Sequence, residues 1–447
     1  MRTYNSVSLG VPEILLPKEG IDLAKWAVIA CDQFTSEPEY WAKVAALAGD
    51  APSTLNIIYP EVFLHEPEAE KGARIARIRK TMNRYLDQAL FQTREGFIYV
   101  ERMTGGHTRK GLVVALDLEA YDFHKGSSTP IRASEGTIID RLPPRVRIRE
   151  GAGLETPHIM VLIDDPGNTV IAPLAKAKSG MAKLYDFELM LGSGHLAGFE
   201  VGDAGLEAGI IKALTVLADP AAFTAKYGLP AGTAVLLYAM GDGNHSLATA
   251  KTIWETIKEK AADKIAVMSS PLRYALVELV NLHDEALVFE PIHRVVFDIA
   301  PGRDLLAEAK AFFGGQAQFS AMCCTHVMQE TVNEQSGRPH KIGIISRAGA
   351  GVLEVEAPGS NLPVGTLQGF LDQFMKSGGA REIDYVHGAE STAALGAKPG
   401  NMSFYLPAMR KEDLFKTVIL EGVTPRKTFS MGEAWEKRFY LEARRIG

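Results

Sequence analysis

The hexapeptide GDGNHS, from Gly241 to Ser246, contains the residue types best suited to chemistry in this sequence. It lies between the apolar run Thr233 to Met240 and a segment whose apolar residues recur at helical spacing. This pattern predicts a turn from a buried strand into a helix. The first N–H groups of a helix lack backbone partners and lie at the positive end of the helix dipole, so a phosphate or carboxylate can bind there. We therefore expect an anion-binding site at this junction.

The side chains of the junction have distinct expected roles. Asp242 would act as a base or as a ligand of magnesium, and His245 would carry a proton or stabilise charge on a transferring group. The other residues would bind substrate or phosphate: Gly241, Gly243, Asn244 and Ser246. The alternative is that Asp242 and Asn244 only cap the helix. We favour the functional interpretation, because an Asp, an Asn and a His together exceed what capping requires.

A second polar segment, IRASEGTIIDRLPPRVRIRE, spans residues 131–150. Its arginines would hold a di- or triphosphate through paired N–H donors, and Glu135 would act as an acid or a base. The site residues assigned in this segment are Arg132, Glu135, Thr137 and Arg141. The alternative is a solvated basic strand, since Arg145, Arg147 and Arg149 alternate as they would on one exposed face of a sheet.

Isolated histidines and one basic pair carry weaker signals. His293 and Arg294, in EPIHRVV, are assigned to substrate or phosphate binding. A structural role is favoured for three other histidines: His158, His195 and His387. The pair Arg426 and Lys427 would bind an anion or form a charged turn. The turn is favoured, with a capping box from Ser430 to Glu433 ahead of a final helix around Trp435 to Arg445.

The elements that must position these residues alternate between helical and strand patterns. Residues 68–90 predict an amphipathic helix, and the runs 97–102 and 111–118 predict an antiparallel hairpin. The segments 158–163 and 169–171 flank a turn sequence and predict a second hairpin. We expect a mixed α/β fold with a main lobe over residues 1–300, a small α+β lobe over 301–380, and a segment 381–447 that packs back on the main lobe.

Composition excludes several classes of protein. The 447 residues are 46% hydrophobic and 23% charged, as in folded proteins generally. The formal net charge of -6 gives no general attraction to nucleic acid. The sequence shows neither a signal-peptide pattern nor a window apolar enough to span a membrane. We expect a cytoplasmic protein that acts on a small molecule, without a nucleic-acid or membrane partner; a homodimer is compatible with the sequence.

Several segments together resemble a known family. They are AVIACDQFTSEPEYW, APSTLN, GFIYVER, RKGLVVALDLEAYDF, IRASEGT, PPRVRIRE, PHIMVLIDDP, GDGNHSLATAK, FEPIHRVVF, DYVHG and PRKTFSMGEA. The chain is identified by them as a member of the bacterial and archaeal family called domain of unknown function 1015, over nearly its whole length. The family has no widely settled activity.

The resemblance implies a fold element and a chemistry. Many members carry Asp-Gly-His-His-Arg at the strand-to-helix junction, which is similar to an element of the ParB and sulfiredoxin-like fold that includes free-serine kinases. This chain has Ser246 in place of the arginine, with Asp242 and His245 at matching positions. Arg294 or Arg132 would then supply the missing positive charge.

We therefore expect a phosphotransferase that acts on serine or another hydroxyl-bearing metabolite, with magnesium as the metal at Asp242. The phosphoryl donor would be ATP, ADP or pyrophosphate. The alternatives are a non-catalytic ligand-sensing or DNA-associated protein of the ParB type, and a hydrolase of phosphate esters or amides. No lysine-bearing P-loop, dinucleotide fingerprint, nucleophile elbow or zincin helix occurs, which excludes the commonest other enzyme classes.

Overall fold

A computed structural model describes residues 1–447, and these residues form two compact units. The first unit comprises residues 1–287 and 432–447, and the second comprises residues 288–431. The chain therefore leaves the first unit once and returns to it near its C-terminal end. These boundaries differ from the predicted ones, because residues 381–431 lie in the second unit.

The first unit contains eight α-helices and seventeen strands. The helices are α1 (Leu23–Trp26), α2 (Pro38–Ala48), α3 (Glu68–Asp87), α4 (Leu142–Arg149), α5 (Ala172–Ala177), α6 (Ala204–Leu217), α7 (Pro220–Tyr227) and α8 (Asn244–Lys260). The strands are β1 (Thr3–Tyr4), β2 (Leu9–Gly10), β3 (Glu13–Pro17), β4 (Val28–Ile29), β5 (Phe91–Glu95), β6 (Phe97–Thr104), β7 (His107–Asp117), β8 (Tyr121–Asp122), β9 (Ile131–Arg132), β10 (Leu154–Glu155), β11 (Met160–Ile163), β12 (Lys183–Glu188), β13 (His195–Val201), β14 (Tyr238–Asp242), β15 (Tyr274–Asn281), β23 (Phe439–Tyr440) and β24 (Arg444–Arg445).

An eleven-stranded mixed sheet forms the centre of the first unit. Its order is β12-β13-β6-β7-β15-β11-β14-β9-β8, with β2 on β7 and β1 on β2. Successive residues of β7 point to opposite faces, so that Val114 joins one hydrophobic core and Val113 joins the other. Helices and groups of strands follow one another along the chain, and the strands pair in both directions. The predicted mixed α/β fold is confirmed.

The second unit contains a seven-stranded sheet, in the order β17-β19-β18-β21-β16-β20 with β22 on β16. Its strands are β16 (Phe289–Ile299), β17 (Ala317–Met322), β18 (His340–Ser346), β19 (Gly349–Val355), β20 (Ala380–His387), β21 (Met402–Tyr405) and β22 (Phe429–Met431). Its helices are α9 (Leu305–Phe312), α10 (Thr325–Asn333), α11 (Pro363–Lys376), α12 (Ala389–Gly396) and α13 (Lys411–Glu421). Because β20, β21 and β22 all pair with β16, residues 381–431 belong to the second unit rather than to a separate C-terminal segment.

Local patterns predict several of these elements. The amphipathic helix is confirmed as α3, the first hairpin as β6 and β7, and the turn from strand to helix as β14 and α8. The second hairpin is wrong: the carboxylate of Asp165 accepts the N–H of Val170 and folds this segment into the turn before α5. The basic strand is also wrong, because residues 142–149 form α4.

The end of the chain was predicted as a helix and is largely extended. Residues 434–436 form a short 3-10 helix, followed by β23 and β24. The capping box lies at Glu433 and Glu436, three residues beyond the predicted one at Ser430. None of the helices has by itself the length and apolar character of a membrane-spanning segment; α6 and α7 would have it only as a pair bent by 55°.

Candidate functional site

The turn between β14 and α8 depends on Gly243. Its φ of 79° lies in the left-handed region, which side chains other than glycine adopt at a cost. A Cβ atom on Gly243 would lie 3.1 Å from the Cα of Ile159, so the space is closed as well. This close approach brings the first turn of α8 beside the residues that precede β11.

Replacing Gly243 with alanine should lower the free energy of unfolding by about 1–3 kcal/mol, because the left-handed backbone would be strained. Denaturant unfolding measures the change. Gly209→Ala is the matched control: Gly209 lies inside α6, where a Cβ meets nothing within 4 Å. That variant should be more stable by about 0.5–1 kcal/mol. Equal stability of the two variants would contradict the role assigned to Gly243.

His158 lies at this close approach and contacts the first turn of α8. Its Nε2 atom is 3.0 Å from Oγ of Ser246, and its Nδ1 atom is 2.7 Å from the hydroxyl of Tyr440. The imidazole is only 7% exposed, whereas Ser246 is partly exposed. A histidine that was predicted to be structural therefore reaches a hydroxyl group at the helix N-terminus.

Lys437 places a positive charge at the same junction. Its Nζ atom lies 3.2 Å from Oδ2 of Asp242. Burial alone would raise the pKa of Asp242, but Lys437, His158 and the N–H of Gly243 outweigh it and lower this pKa below its ordinary value. A carboxylate whose pKa is lowered is a weaker base. Asp242 is therefore better suited to the ligand role predicted for it than to the role of a base.

Acidic side chains lie near His158. Oδ2 of Asp32 lies 3.8 Å from Nε2 of His158. Glu61 pairs with Arg145 at 2.5 Å, and burial, together with the charge of Asp32, raises the pKa of Glu61 above its ordinary value despite this pairing. Asp32 therefore places a negative charge beside the imidazole of His158.

The loop that carries Glu135 reaches the first turn of α8. The backbone N–H of Ile138 donates to Nε2 of His245 at 3.4 Å. Two polar atoms beside this contact, Oγ1 of Thr137 and Oδ1 of Asn244, are buried without a hydrogen-bond partner. Buried polar atoms are nearly always paired in folded proteins. Both atoms are available to a ligand that binds at this turn, and the assignment of Thr137 and Asn244 to the site stays a prediction.

Arg132 has a structural role in place of the predicted phosphate contact. Its guanidinium donates to the carbonyl groups of Thr129 at 2.7 Å and Ala234 at 2.9 Å. Ala234 precedes β14, whereas Asp242 ends that strand, so the guanidinium is directed toward the opposite end. Arg141 is exposed on the short 3-10 helix that precedes α4, and its phosphate contact stays a prediction.

The other arginines of this segment are paired with different carboxylates rather than with one another. The pairs are Arg145 with Glu61, Arg147 with Glu68, and Arg149 with Glu155. They therefore do not form the predicted clamp for a di- or triphosphate.

His293 and Arg294 lie on β16 in the second unit, whereas Asp242 lies in the first. Nδ1 of His293 accepts the N–H of Leu406 at 3.1 Å. Arg294 donates to the carbonyl groups of Lys427 at 3.0 Å and of Arg426. These contacts hold the backbone of the second unit, so the substrate contact predicted for His293 and Arg294 has no support from the local geometry.

The sequence did not indicate three residues of this site: Asp32, Lys437 and Tyr440. A buried arginine between Lys437 and Tyr440 fixes the position of these two. Arg438 donates to Glu278 at 2.7 Å, to Glu442 at 2.8 Å and to the carbonyl group of Pro157 at 2.6 Å. Pro157 directly precedes His158, so Arg438 links the segment that carries Lys437 and Tyr440 to the segment that carries His158. The neighbouring aromatic residues Phe439 and Tyr440 favour a strand, and this signal was available in the sequence.

These features define a mixed α/β protein with a charged, partly buried junction between a central strand and a helix. The chain belongs to the family described as Protein of unknown function (DUF1015), whose model matches residues 15–374. The resemblance seen in the sequence is thereby confirmed. No curated protein matches the chain.

Solved structures show only weak similarity to this chain. A free serine kinase in complex with AMP is 10% identical, with 74% of this chain and 90% of that chain covered and a TM-score of 0.37. A conserved hypothetical protein from Pyrococcus furiosus is 12% identical, with coverages of 74% and 90% and a TM-score of 0.34. SbnI from Staphylococcus aureus, truncated at its C-terminus, is 8% identical, with coverages of 72% and 82% and a TM-score of 0.33. At such low TM-scores, none of them defines the chemistry of this chain.

Proposed function

We propose that this chain is a small-molecule phosphotransferase, which moves a phosphoryl group from ATP, ADP or pyrophosphate to serine or another hydroxyl-bearing metabolite. The observation that carries the proposal is the ammonium group of Lys437, 3.2 Å from Asp242 at the N-terminus of α8. A cation, a helix dipole and a glycine without a side chain together suit a phosphate. Phosphoryl transfer depends mainly on such positioning and charge stabilisation.

The acceptor hydroxyl requires a base, and His158 is better placed for this role than Asp242. Its Nε2 atom already lies 3.0 Å from a hydroxyl oxygen, that of Ser246. Asp32, 3.8 Å from the same nitrogen, would stabilise the imidazolium that forms. The unpaired oxygens of Thr137 and Asn244 would bind the acceptor or the donor, and His245 and the loop of Glu135 would border it.

Magnesium fits this site through a single side chain. No group of three or more His, Cys, Asp or Glu residues in the described chain could hold a metal ion by itself. Magnesium commonly takes one or two carboxylates and completes its shell with water and substrate phosphates. Asp242 would supply the carboxylate, and the metal would neutralise phosphate charge beside Lys437.

Lys437→Ala should weaken binding of ATP and pyrophosphate by at least about tenfold, which corresponds to the loss of one charge-assisted contact. Isothermal titration with each compound, with and without magnesium, measures this change. The control is Lys183→Ala, since Lys183 forms a surface pair with Asp186 and is 55% exposed. Its affinities should equal those of the unmodified protein. Unchanged affinity in the Lys437 variant would contradict the proposed phosphate site.

Phosphoryl transfer itself is tested by phosphorus NMR of the protein with a donor, magnesium and serine or other hydroxyl compounds. A new phosphate ester that appears only with the acceptor supports a transferase. Consumption of the donor by water alone, at the same rate with and without acceptor, would indicate a hydrolase. Tight binding without turnover of any compound would indicate a ligand sensor.

A further inference from the structure

We infer that Ser246 itself receives the phosphoryl group, so that transfer passes through a phosphoserine at the N-terminus of α8 with His158 as its base. The inference rests on the proposed function, because it takes the phosphate donor from there. It adds a covalent step and a nucleophile that belongs to the protein.

The position of Ser246 suits a nucleophile. It is the third residue of α8, and the first hydrogen bond within this helix runs from N–H of Leu247 to the carbonyl group of Gly243 at 3.0 Å. The N–H groups of Asn244 and Ser246 therefore have no acceptor within the helix. A phosphoryl group bound to them would lie next to the Ser246 hydroxyl, which is partly exposed.

The contacts of Tyr440 favour the tautomer of His158 that can take a proton from Ser246. The hydroxyl of Tyr440 is hydrogen-bonded to the side chain of Cys31, and its oxygen also accepts the N–H of Cys31 at 3.2 Å. Burial raises the pKa of Tyr440 well above its ordinary value, so the phenol keeps its proton. When the phenol directs its proton to Cys31, Nδ1 of His158 donates to the phenol oxygen. Its Nε2 atom is then a free acceptor facing Oγ.

Carboxylates lie near the imidazole of His158. Asp32 lies 3.8 Å from the nitrogen that would take the proton. Asp242 and Glu61 also interact electrostatically with the imidazole. A histidine that accepts the proton of a hydroxyl group, with a carboxylate nearby, is one way in which a nucleophilic serine is activated.

The transfer takes place in two displacements at phosphorus. In the first, Oγ of Ser246 attacks the terminal phosphorus of the donor, the bond from phosphorus to the leaving phosphate breaks, and the hydroxyl proton moves to Nε2 of His158. The departing phosphate takes that proton and restores neutral imidazole. In the second, the hydroxyl of the acceptor attacks phosphorus, the bond from Oγ to phosphorus breaks, and His158 passes the acceptor's proton to Oγ.

The test uses the full chain with ATP or pyrophosphate and magnesium, without an acceptor, followed by intact mass and peptide mapping. We expect one added phosphoryl group at Ser246, and none in Ser246→Ala. Ser269→Ala, at an exposed serine outside the site, should be labelled like the unmodified protein. His158→Gln should bind the donor and become labelled at least about a hundredfold more slowly, as for loss of a general base.

A second measurement covers the case in which the phosphoserine turns over too fast to accumulate. Transfer of a chiral thiophosphoryl group should proceed with retention of configuration, since each of two displacements inverts phosphorus. Inversion, or transfer by Ser246→Ala at the unmodified rate, would overturn the inference and leave the proposed function standing. If no donor binds the unmodified protein, both fail together.

Discussion

Replacing Arg438 with alanine should lower the free energy of unfolding by about 3–5 kcal/mol, the usual cost of breaking a buried ion pair. The guanidinium lies 2.7 Å from Glu278 and 2.8 Å from Glu442, and the three side chains are 5%, 2% and 1% exposed. Without the cation, two buried carboxylates lose their shared counter-ion. Arg109 remains 3.5 Å from Glu278 and offsets part of that loss. Denaturant unfolding, followed by circular dichroism, measures the change.

A surface arginine provides the control for this prediction. Arg147 pairs with Glu68, and these side chains are 52% and 69% exposed. Arg147→Ala should cost less than about 1 kcal/mol, because water screens such pairs. If both variants lost the same stability, burial would not be the source of the effect at Arg438. Arg438→Ala should also weaken phosphate binding, since Lys437 and Tyr440 flank it on the same segment.

Lowering the pH from 7 to 4.5 should destabilise the second unit by about 5 kcal/mol, about half from each of two buried histidines. Burial lowers the pKa of His293 to about 4, assisted by Arg294 and His387. Burial also lowers the pKa of His340 to about 4, assisted by Arg338 and opposed by Asp413. An unfolded histidine takes up a proton below about pH 6.5. The unfolded state therefore binds more protons between about pH 6.5 and 4, and stability falls in that window.

Asparagine at these positions removes the titration and keeps an acceptor near the place of Nδ1. His293→Asn and His340→Asn should each reduce the loss of stability between pH 7 and pH 4.5 by about half. His326→Asn is the control, because His326 is 78% exposed, and its pH dependence should match that of the unmodified protein. Unfolding is followed at both pH values for each variant. An unchanged pH dependence in both buried variants would contradict the assignment.

The sequence predicts those parts of the fold that depend on neighbours in the chain. Helix α3 follows from apolar residues at helical spacing, and the pair β6 and β7 follows from strand residues around two glycines. The second hairpin failed because Met160–Ile163 is an inner strand between β15 and β14. Which strands it pairs with depends on segments far away in the chain, and no local pattern shows that.

The same distinction holds for the candidate site. The turn at Gly243 is local and was predicted, together with Asp242, Asn244 and Ser246 beside it. Lys437 and Tyr440 reach that turn only through contacts between distant segments, such as that of Arg438 with Glu278. The alternation of Arg145, Arg147 and Arg149 suggested a strand as the alternative interpretation. This was wrong, because these residues form α4, which has two prolines at its start.

The return of residues 432–447 to the first unit determines when the site can exist during synthesis. A growing chain that has reached Leu287 already holds Asp242, Ser246 and His158, and it still lacks Lys437 and Tyr440. The ribosome must then translate the whole second unit before Lys437 and Tyr440 are added to the chain. Domains commonly begin to fold as they emerge from the ribosome. The first unit would therefore lack the pair of Arg438 with Glu278 until the second unit has been translated. Nascent chains released before Lys437 is added would thus contain the junction without the positive charge of Lys437.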